Sequence, residues 1–88
     1  MCILLCFPLI GLKCIHEQPA NGQPAKIVHC DVLGGAHYCA KMVAPWGTAK
    51  TCGVEVILDA FKYFGLTSDG CTTNSGYTFC LCSTDECN

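Results

Sequence analysis

The cysteine content constrains this chain more than any other feature. Its 88 residues include 10 cysteines, a density at or above the roughly 8–10% that indicates a disulfide scaffold in a short chain. A chain of this length buries too little apolar surface for a core alone to offset the entropy lost on folding, so we expect cross-links to supply the remainder. Because the cytosol keeps thiols reduced, the cysteines also predict an oxidising compartment.

The chain opens with an apolar run of eleven residues, 2–12. A membrane-spanning helix needs about 20 apolar residues, so the run is too short to span a bilayer and is typical of a signal peptide. No Lys or Arg precedes it and no A-x-A site follows it, although Gly11 is small enough to precede a cleavage site. We expect 1–11 to be a signal peptide and 12–88 the mature domain; the alternative is a buried N-terminal strand in a partial or mis-started chain.

The charge and the C-terminal residues bear on nucleic-acid binding and on membrane attachment. The net charge is −2, and the five Lys are scattered, with no Arg, whereas nucleic-acid binding needs a concentrated basic face. No hydrophobic tail follows Cys87-Asn88, and a glycolipid anchor requires one. The sequence therefore predicts a secreted, extracellular protein with no transmembrane span and no nucleic-acid partner.

Without residues 1–11, the cysteines form an even set that can pair completely. Sequence alone leaves their connectivity open. The cysteines expected in disulfides are Cys14, Cys30, Cys39, Cys52, Cys71, Cys80, Cys82 and Cys87.

Turn residues divide the mature chain into hairpins. Asn21-Gly22 favours a tight turn because both residues tolerate positive φ, and Pro45-Trp46-Gly47 is typical of a second turn. The strands predicted around these two turns are 13–17, 25–31, 38–43 and 48–52.

The segment 54–64 fits two interpretations. Apolar residues recur at helical spacing, and Gly65 stands where a helix would end. Val54-Glu55-Val56 instead alternates and is β-branched, which fits a strand. We favour one short helix. The apolar stripe consists of Val54, Ile57, Leu58, Phe61 and Phe64.

Residues 77–82 have the alternation of a strand. Tyr77, Phe79 and Leu81 fall on one face, and Thr78 lies with the two cysteines on the other. Cys80 and Cys82 therefore point the same way, each towards a partner of its own.

The ending Cys80-Leu81-Cys82-Ser83-Thr84-Asp85-Glu86-Cys87-Asn88 resembles the CC-x4-CN ending of the three-finger superfamily of Ly-6/uPAR proteins and snake toxins, and Leu12-Lys13-Cys14 resembles its opening. The eight-cysteine layout with C-x-C is similar to the ET module of nematode secreted proteins. The resemblance implies a small disulfide-rich, mainly β, three-finger domain, here with one short helix between Cys52 and Cys71.

The same resemblance implies a disulfide pairing and a role for the final residue. The implied pairs are Cys14–Cys39, Cys30–Cys52, Cys71–Cys80 and Cys82–Cys87. Asn88 would hydrogen-bond across the bases of the fingers. Two features depart from the family pattern: Leu81 separates cysteines that are usually adjacent, and the gap from Cys52 to Cys71 is long.

Catalysis and metal binding are the weaker hypotheses. A cysteine nucleophile needs a free thiolate with a basic partner, and an evenly paired set leaves no thiol, so we predict no enzyme and no cofactor. Soft ligands of the kind that Zn²⁺ or Cu⁺ prefers occur in His29-Cys30, His37-x-Cys39 and Cys80-x-Cys82. The two C-x₂-C knuckles of a zinc finger are absent, and oxidation would consume the thiols.

A partner-binding surface is the favoured hypothesis. Trp is enriched in binding hot spots, and the lone Trp46 beside Pro45 belongs on a turn, with Lys41 and Lys50 flanking it. The alternative is that Trp46 folds back over the disulfides as a lid. For the apolar stripe, packing on the sheet is the expected role; exposure would instead favour dimerisation or membrane contact.

We therefore predict a disulfide-stapled binding module, a secreted ligand or modulator of a cell-surface receptor, present as a monomer or weak dimer. A secreted defence or toxin-like peptide acting on channels or membranes is the second hypothesis, although membrane lysis usually uses basic amphipathic surfaces. A thiol-rich metal binder is the third.

Mass spectrometry tests the oxidised state. We expect the secreted protein, measured without reductant, to be lighter than its reduced form by two hydrogens for each of four bonds. Free thiols in folded material would favour the metal-binding hypothesis.

Overall fold

The computed structural model describes residues 12–18, 22–30 and 36–88. The expected signal peptide at 1–11 and the turn residue Asn21 lie outside this part of the chain. In chain order the described elements are β1 (Lys13–Gln18), β2 (Gln23–His29), β3 (Cys39–Ala44), β4 (Gly47–Cys52), α1 (Glu55–Lys62), β5 (Gly70–Asn74) and β6 (Tyr77–Cys82).

The six strands form one antiparallel sheet in the order β2-β1-β4-β3-β6-β5. Consecutive strands make three hairpins, and β3 lies at the centre because it pairs with both β4 and β6. Within the sheet, the first hairpin pairs with the second through one residue pair, Glu17 opposite Lys50. The prediction of a small, mainly β domain with one short helix is confirmed.

The hairpin turns follow from local chemistry. Ser75 and Gly76 have φ values of 52° and 85°, which is the conformation of a type I′ turn and matches the twist of β5 and β6. Pro45 and Trp46 occupy the turn between Ala44 and Gly47. Strand β2 begins before Pro24, which an edge strand tolerates because its outer edge carries no ladder hydrogen bonds.

The two faces of the sheet have different chemistry. Directly opposed residues share a face, so the registers of β3 with β6 and of β3 with β4 assign each side chain to one side. The disulfide face, as we call it, carries Cys39, Lys41, Val43, Thr48, Lys50, Cys52, Thr78, Cys80 and Cys82. The helix face carries Ala40, Met42, Ala49, Thr51, Tyr77, Phe79 and Leu81.

The apolar core lies between α1 and the helix face. Phe61 is buried against Phe79, with ring centroids 5.1 Å apart, and Phe64 stacks on Phe79 at 4.5 Å. Ala40, Leu66 and Leu81 complete the buried cluster. The apolar stripe predicted for 54–64 thus packs on the sheet, except for Val54, which packs against buried cysteines. Burial of this stripe favours the helical interpretation of the segment.

The helix ends in a Schellman motif around Gly65. Gly65 has φ 83°, its N–H donates to the carbonyl of Lys62 at 3.0 Å, and the N–H of Leu66 donates to Phe61 at 3.2 Å. Leu66 and Phe61 are both buried, which is the apolar contact that accompanies this motif. The helix termination predicted at Gly65 has this physical cause.

No helix in the described part of the chain is long and apolar enough to cross a membrane.

A second buried cluster consists of sulfur. Cys14, Cys30, Cys39 and Cys52 are 0% exposed, and they form the bridges Cys14–Cys39 and Cys30–Cys52. The two bridges are in contact, with 3.2 Å between the Sγ atoms of Cys14 and Cys30. Because each bridge joins the first hairpin to the second, the bases of the two hairpins are fixed together.

Two further bridges lie on the disulfide face. Cys71–Cys80 joins the strands of the third hairpin, and Cys82–Cys87 closes the segment after β6. The four pairs coincide with those that the three-finger resemblance implies. Every described cysteine is paired, in the manner typical of small secreted domains.

Asn88 connects three strands through its side-chain amide. Its Oδ1 accepts from the N–H of Ile15 at 2.9 Å. Its Nδ2 donates to the carbonyls of Ile15 and Ala40, each at 2.9 Å, and lies 3.3 Å from that of Thr51. The residue is 8% exposed. This is the cross-base role that the resemblance implies for Asn88.

The segment before Asn88 also holds β1. The carboxylate of Asp85 accepts from the N–H of Lys13 at 2.9 Å, and the N–H of Glu86 donates to the carbonyl of Lys13 at 2.7 Å. Glu86 adopts a positive φ of 55° in making this bond. The residues between Cys82 and Asn88 therefore bind the first hairpin to the third.

We expect Asn88→Asp to lower the free energy of unfolding by about 2–4 kcal/mol, because a carboxylate cannot donate to buried carbonyls and its charge is unpaired there. Guanidinium unfolding followed by circular dichroism, without reductant, measures the change.

The matched control is Asn74→Asp. Asn74 is exposed, and its Oδ1 accepts a hydrogen bond from Ser75, which a carboxylate can also do. Asn74→Asp should change the free energy of unfolding by no more than about 0.5 kcal/mol. Equal losses in the two variants would contradict the role given to Asn88.

Candidate functional site at the tip of the second hairpin

The candidate site is the turn between β3 and β4. Trp46 is 56% exposed, and Pro45 beside it is exposed as well. The turn has only two residues, and both of its strands continue into paired sheet. The indole is thus presented at the end of a short, well-supported hairpin.

Trp46 does not cover the disulfide cluster. The register runs from Cys39–Cys52 at the base of the hairpin to Ala44–Gly47 at the turn, which places the turn about 17 Å from the bridges at about 3.4 Å per residue. The side chains packed around the buried bridges are Leu12, Val28, Ala36, Val54 and Cys82. The lid alternative for Trp46 is therefore not the arrangement in this structure.

The two flanking lysines lie together but apart from the turn. Lys41 and Lys50 are opposite one another on β3 and β4, between the turn and the bridges on the disulfide face. Lys50 also faces Glu17 of β1, whereas Lys41 faces Cys80 of β6. The predicted site residues therefore divide into an apolar tip and a charged pair below it.

Val43 belongs with the tip, although the Pro45-Trp46-Gly47 motif does not include it. It is 38% exposed and lies one residue pair from the turn on the disulfide face. Alternation from Cys39 was the signal that could have found it, because residues 39, 41 and 43 share a face. We call Val43, Pro45 and Trp46 the tip surface.

The helix offers a different exposed surface. Val56 on α1 is 70% exposed, and Tyr63, which directly follows the last residue of α1, is 90% exposed. Tyr63 is an exposed aromatic residue on an element remote in sequence from the tip surface. This makes Tyr63 a useful reference for Trp46.

The cysteines of the proposed metal motifs have other partners, and so does His16. Cys30, Cys39, Cys80 and Cys82 are all in disulfides, so their sulfurs are not the thiolates that Zn²⁺ or Cu⁺ would bind. His16 shares a hydrogen bond with Thr51, 3.2 Å from Nδ1 to Oγ1. His29 and His37 are exposed.

No protein-family model, curated protein or solved structure matches the chain significantly.

Trp46→Ala should cost at most about 1.5 kcal/mol of unfolding free energy, because the side chain is about half exposed and full burial of a large side chain is worth about twice that. Phe79→Ala, which removes a ring buried beneath two others, should cost about 3–5 kcal/mol. Guanidinium unfolding of both variants gives the comparison. A loss in Trp46→Ala as large as that in Phe79→Ala would show that the indole is a structural element.

Proposed function

We propose that this protein is a secreted binding module that acts as a ligand or modulator of a cell-surface receptor, with the tip surface as its principal contact. The observation that carries the proposal is the exposure of Trp46 at the end of a hairpin fixed by buried disulfides. Binding, rather than catalysis, is the function to which these features are suited.

Rigidity supports the proposal. Binding costs free energy when loops and side chains become ordered. Here the hairpin is closed by a two-residue turn, paired along both strands, and joined to its neighbour by two bridges. An aromatic anchor on such a frame loses little backbone entropy when a partner binds it.

The chemistry of the tip surface supports a protein partner. Trp, with Pro45 and Val43 beside it, supplies apolar contact area of the kind found at interface centres. Lys41 and Lys50 lie about 10 Å below the turn, at about 3.4 Å per residue. In that position they would act as rim charges that favour an acidic surface around the pocket that receives the indole.

The arrangement of hairpins supports a three-finger domain, and the ET module is the form of it that we propose. Three consecutive antiparallel hairpins share a base. Two buried bridges join the first hairpin to the second there, and the amide of Asn88, which follows the third hairpin, bonds to both. The C-x-C spacing and the helix between β4 and β5 fit the ET module better than a toxin-like chain with adjacent cysteines.

A receptor-ectodomain binding screen with the mature protein tests the function. For an ectodomain that binds, we expect Trp46→Ala to weaken the affinity at least about tenfold, as removal of a hot-spot aromatic does. Tyr63→Ala, which removes the exposed aromatic side chain of the helix, is the control and should bind as the wild type does. Lys41→Ala and Lys50→Ala should mainly slow association and reduce its dependence on salt.

Other outcomes separate the alternatives. Binding that Tyr63→Ala weakens and Trp46→Ala leaves intact would move the contact to the helix. Leakage from liposomes at low protein concentration, with no ectodomain bound, would favour the toxin-like hypothesis. Binding unaffected by both aromatic variants would contradict the proposed site.

A further inference from the structure

We propose that the Cys71–Cys80 bridge is a thiol-exchange site, which an external dithiol reduces while the other three bridges and the fold persist. The inference is independent of partner binding at the tip surface. It follows from the exposure of the bridge, from the residue opposite it on β3, and from its position in the hairpin.

The exposure of the four bridges differs. Cys14–Cys39 and Cys30–Cys52 are fully buried, so a thiolate cannot reach them in the folded protein. Cys71 is exposed and Cys80 half-buried. Cys71 lies on β5, the last strand in the sheet order, and among the described residues no strand pairs with its outer edge. Its sulfur can therefore be approached from the side of the sheet.

Cys82–Cys87 is also partly exposed, but one end of it rests on buried sulfur. Cys82 packs against the buried disulfide cluster, and the Sγ atoms of Cys39, Cys82 and Cys87 lie within 4.8 Å of one another. Opposite Cys82 on β3 is Cys39. Attack at Cys87 would leave the Cys82 thiolate beside the sulfur of Cys39, the residue directly opposite it, rather than opposite a lysine.

The Cys71–Cys80 bridge differs from Cys82–Cys87 in having a lysine, Lys41, opposite one of its cysteines. A shallow cavity of about 170 Å³ is lined by Lys41 and by the cysteines of both partly exposed bridges. The cross-strand register distinguishes the two bridges, because Lys41 is directly opposite Cys80, whereas Cys39 is opposite Cys82. Lys50, the next residue in the same cross-strand row, faces Glu17, which leaves Lys41 as the cation next to Cys80. An adjacent ammonium group stabilises a thiolate, and a stabilised thiolate is a better leaving group.

The exchange runs in two steps. A thiolate of the dithiol attacks Cys71 Sγ and forms a mixed disulfide, while the Cys71–Cys80 bond breaks and its electron pair leaves on Cys80 Sγ, beside Lys41. The second thiolate of the reductant then attacks the reductant's own sulfur in the mixed disulfide and releases Cys71. The reductant becomes a disulfide, two electrons pass to the cysteine pair, and both cysteines take up protons from water.

The remaining bonds explain why the fold would persist. Strands β5 and β6 are paired over five residue pairs and joined by the Ser75-Gly76 turn, so they stay together without the bridge. The apolar core contacts β6 through Phe79 and Leu81 on the other face. Reduction therefore frees two thiols at one edge of the sheet and leaves the bases of the hairpins joined.

Differential alkylation tests the site. The folded protein is treated with limiting dithiothreitol, alkylated, then fully reduced, labelled with a second reagent and mapped by mass spectrometry. Cys71 and Cys80 should take the first label together, at least about tenfold faster than any other pair. In guanidinium, where the protein is unfolded, the four cysteine pairs should be reduced at similar rates. A parallel arm with thioredoxin shows whether a protein dithiol reaches the site as well as a small one.

Lys41→Gln tests the part of the cation, with Lys26→Gln on the exposed strand β2 as the matched control. Reduction of Cys71–Cys80 should slow by about threefold in Lys41→Gln and remain unchanged in Lys26→Gln. Equal rates in both variants would overturn the role of Lys41. The proposal would be overturned if Cys82 and Cys87 were labelled before Cys71 and Cys80, or if all eight thiols were released together. The order of labelling in the wild-type protein decides this even if a variant does not fold.

Discussion

The structure depends on the contact between two buried disulfides. Cys14–Cys39 and Cys30–Cys52 cross between the same two hairpins and touch through their sulfurs. In the chain-entropy model each bridge closes a loop whose constraint of the unfolded chain is worth about 3 kcal/mol, comparable to what a core of this size supplies. Asn88 adds directional bonds at the same end of the sheet, so the bases of the hairpins are fixed by covalent and polar interactions together.

The apolar core has a narrower task than in a larger domain. It fastens α1 to β3 and β6 through Phe61, Phe79 and Leu81. Among the described residues it includes none of the first hairpin, which the sulfur cluster and the C-terminal segment hold. The residues that stabilise the fold and those of the tip surface therefore lie in different parts of the molecule. The elements that fix the fold lie at the base and on the helix face, whereas the tip surface lies at the far end of the second hairpin.

Much of the architecture was predictable from local patterns. Alternation placed Cys80 and Cys82 on one side of β6, and the apolar stripe with Gly65 gave α1 and its end. Other features depend on tertiary contacts that no local pattern encodes. Leu66 follows the glycine and looks like a loop residue, yet the Schellman motif turns it into the core. The exposure of Trp46 depends on how far the turn lies from the base of the hairpin, which a turn motif does not reveal.

The single residue between Cys80 and Cys82 determines more than the direction of two sulfurs. With adjacent cysteines, one sulfur would point to the side of β6 on which Phe79 and Leu81 now pack, and α1 would lose part of the apolar surface on which it docks. The spacer Leu81 and the long segment from Cys52 to Cys71 are therefore two parts of one structural solution. In a chain built on this plan, deletion of the spacer should therefore weaken the docking of the helix as well as redirect a sulfur.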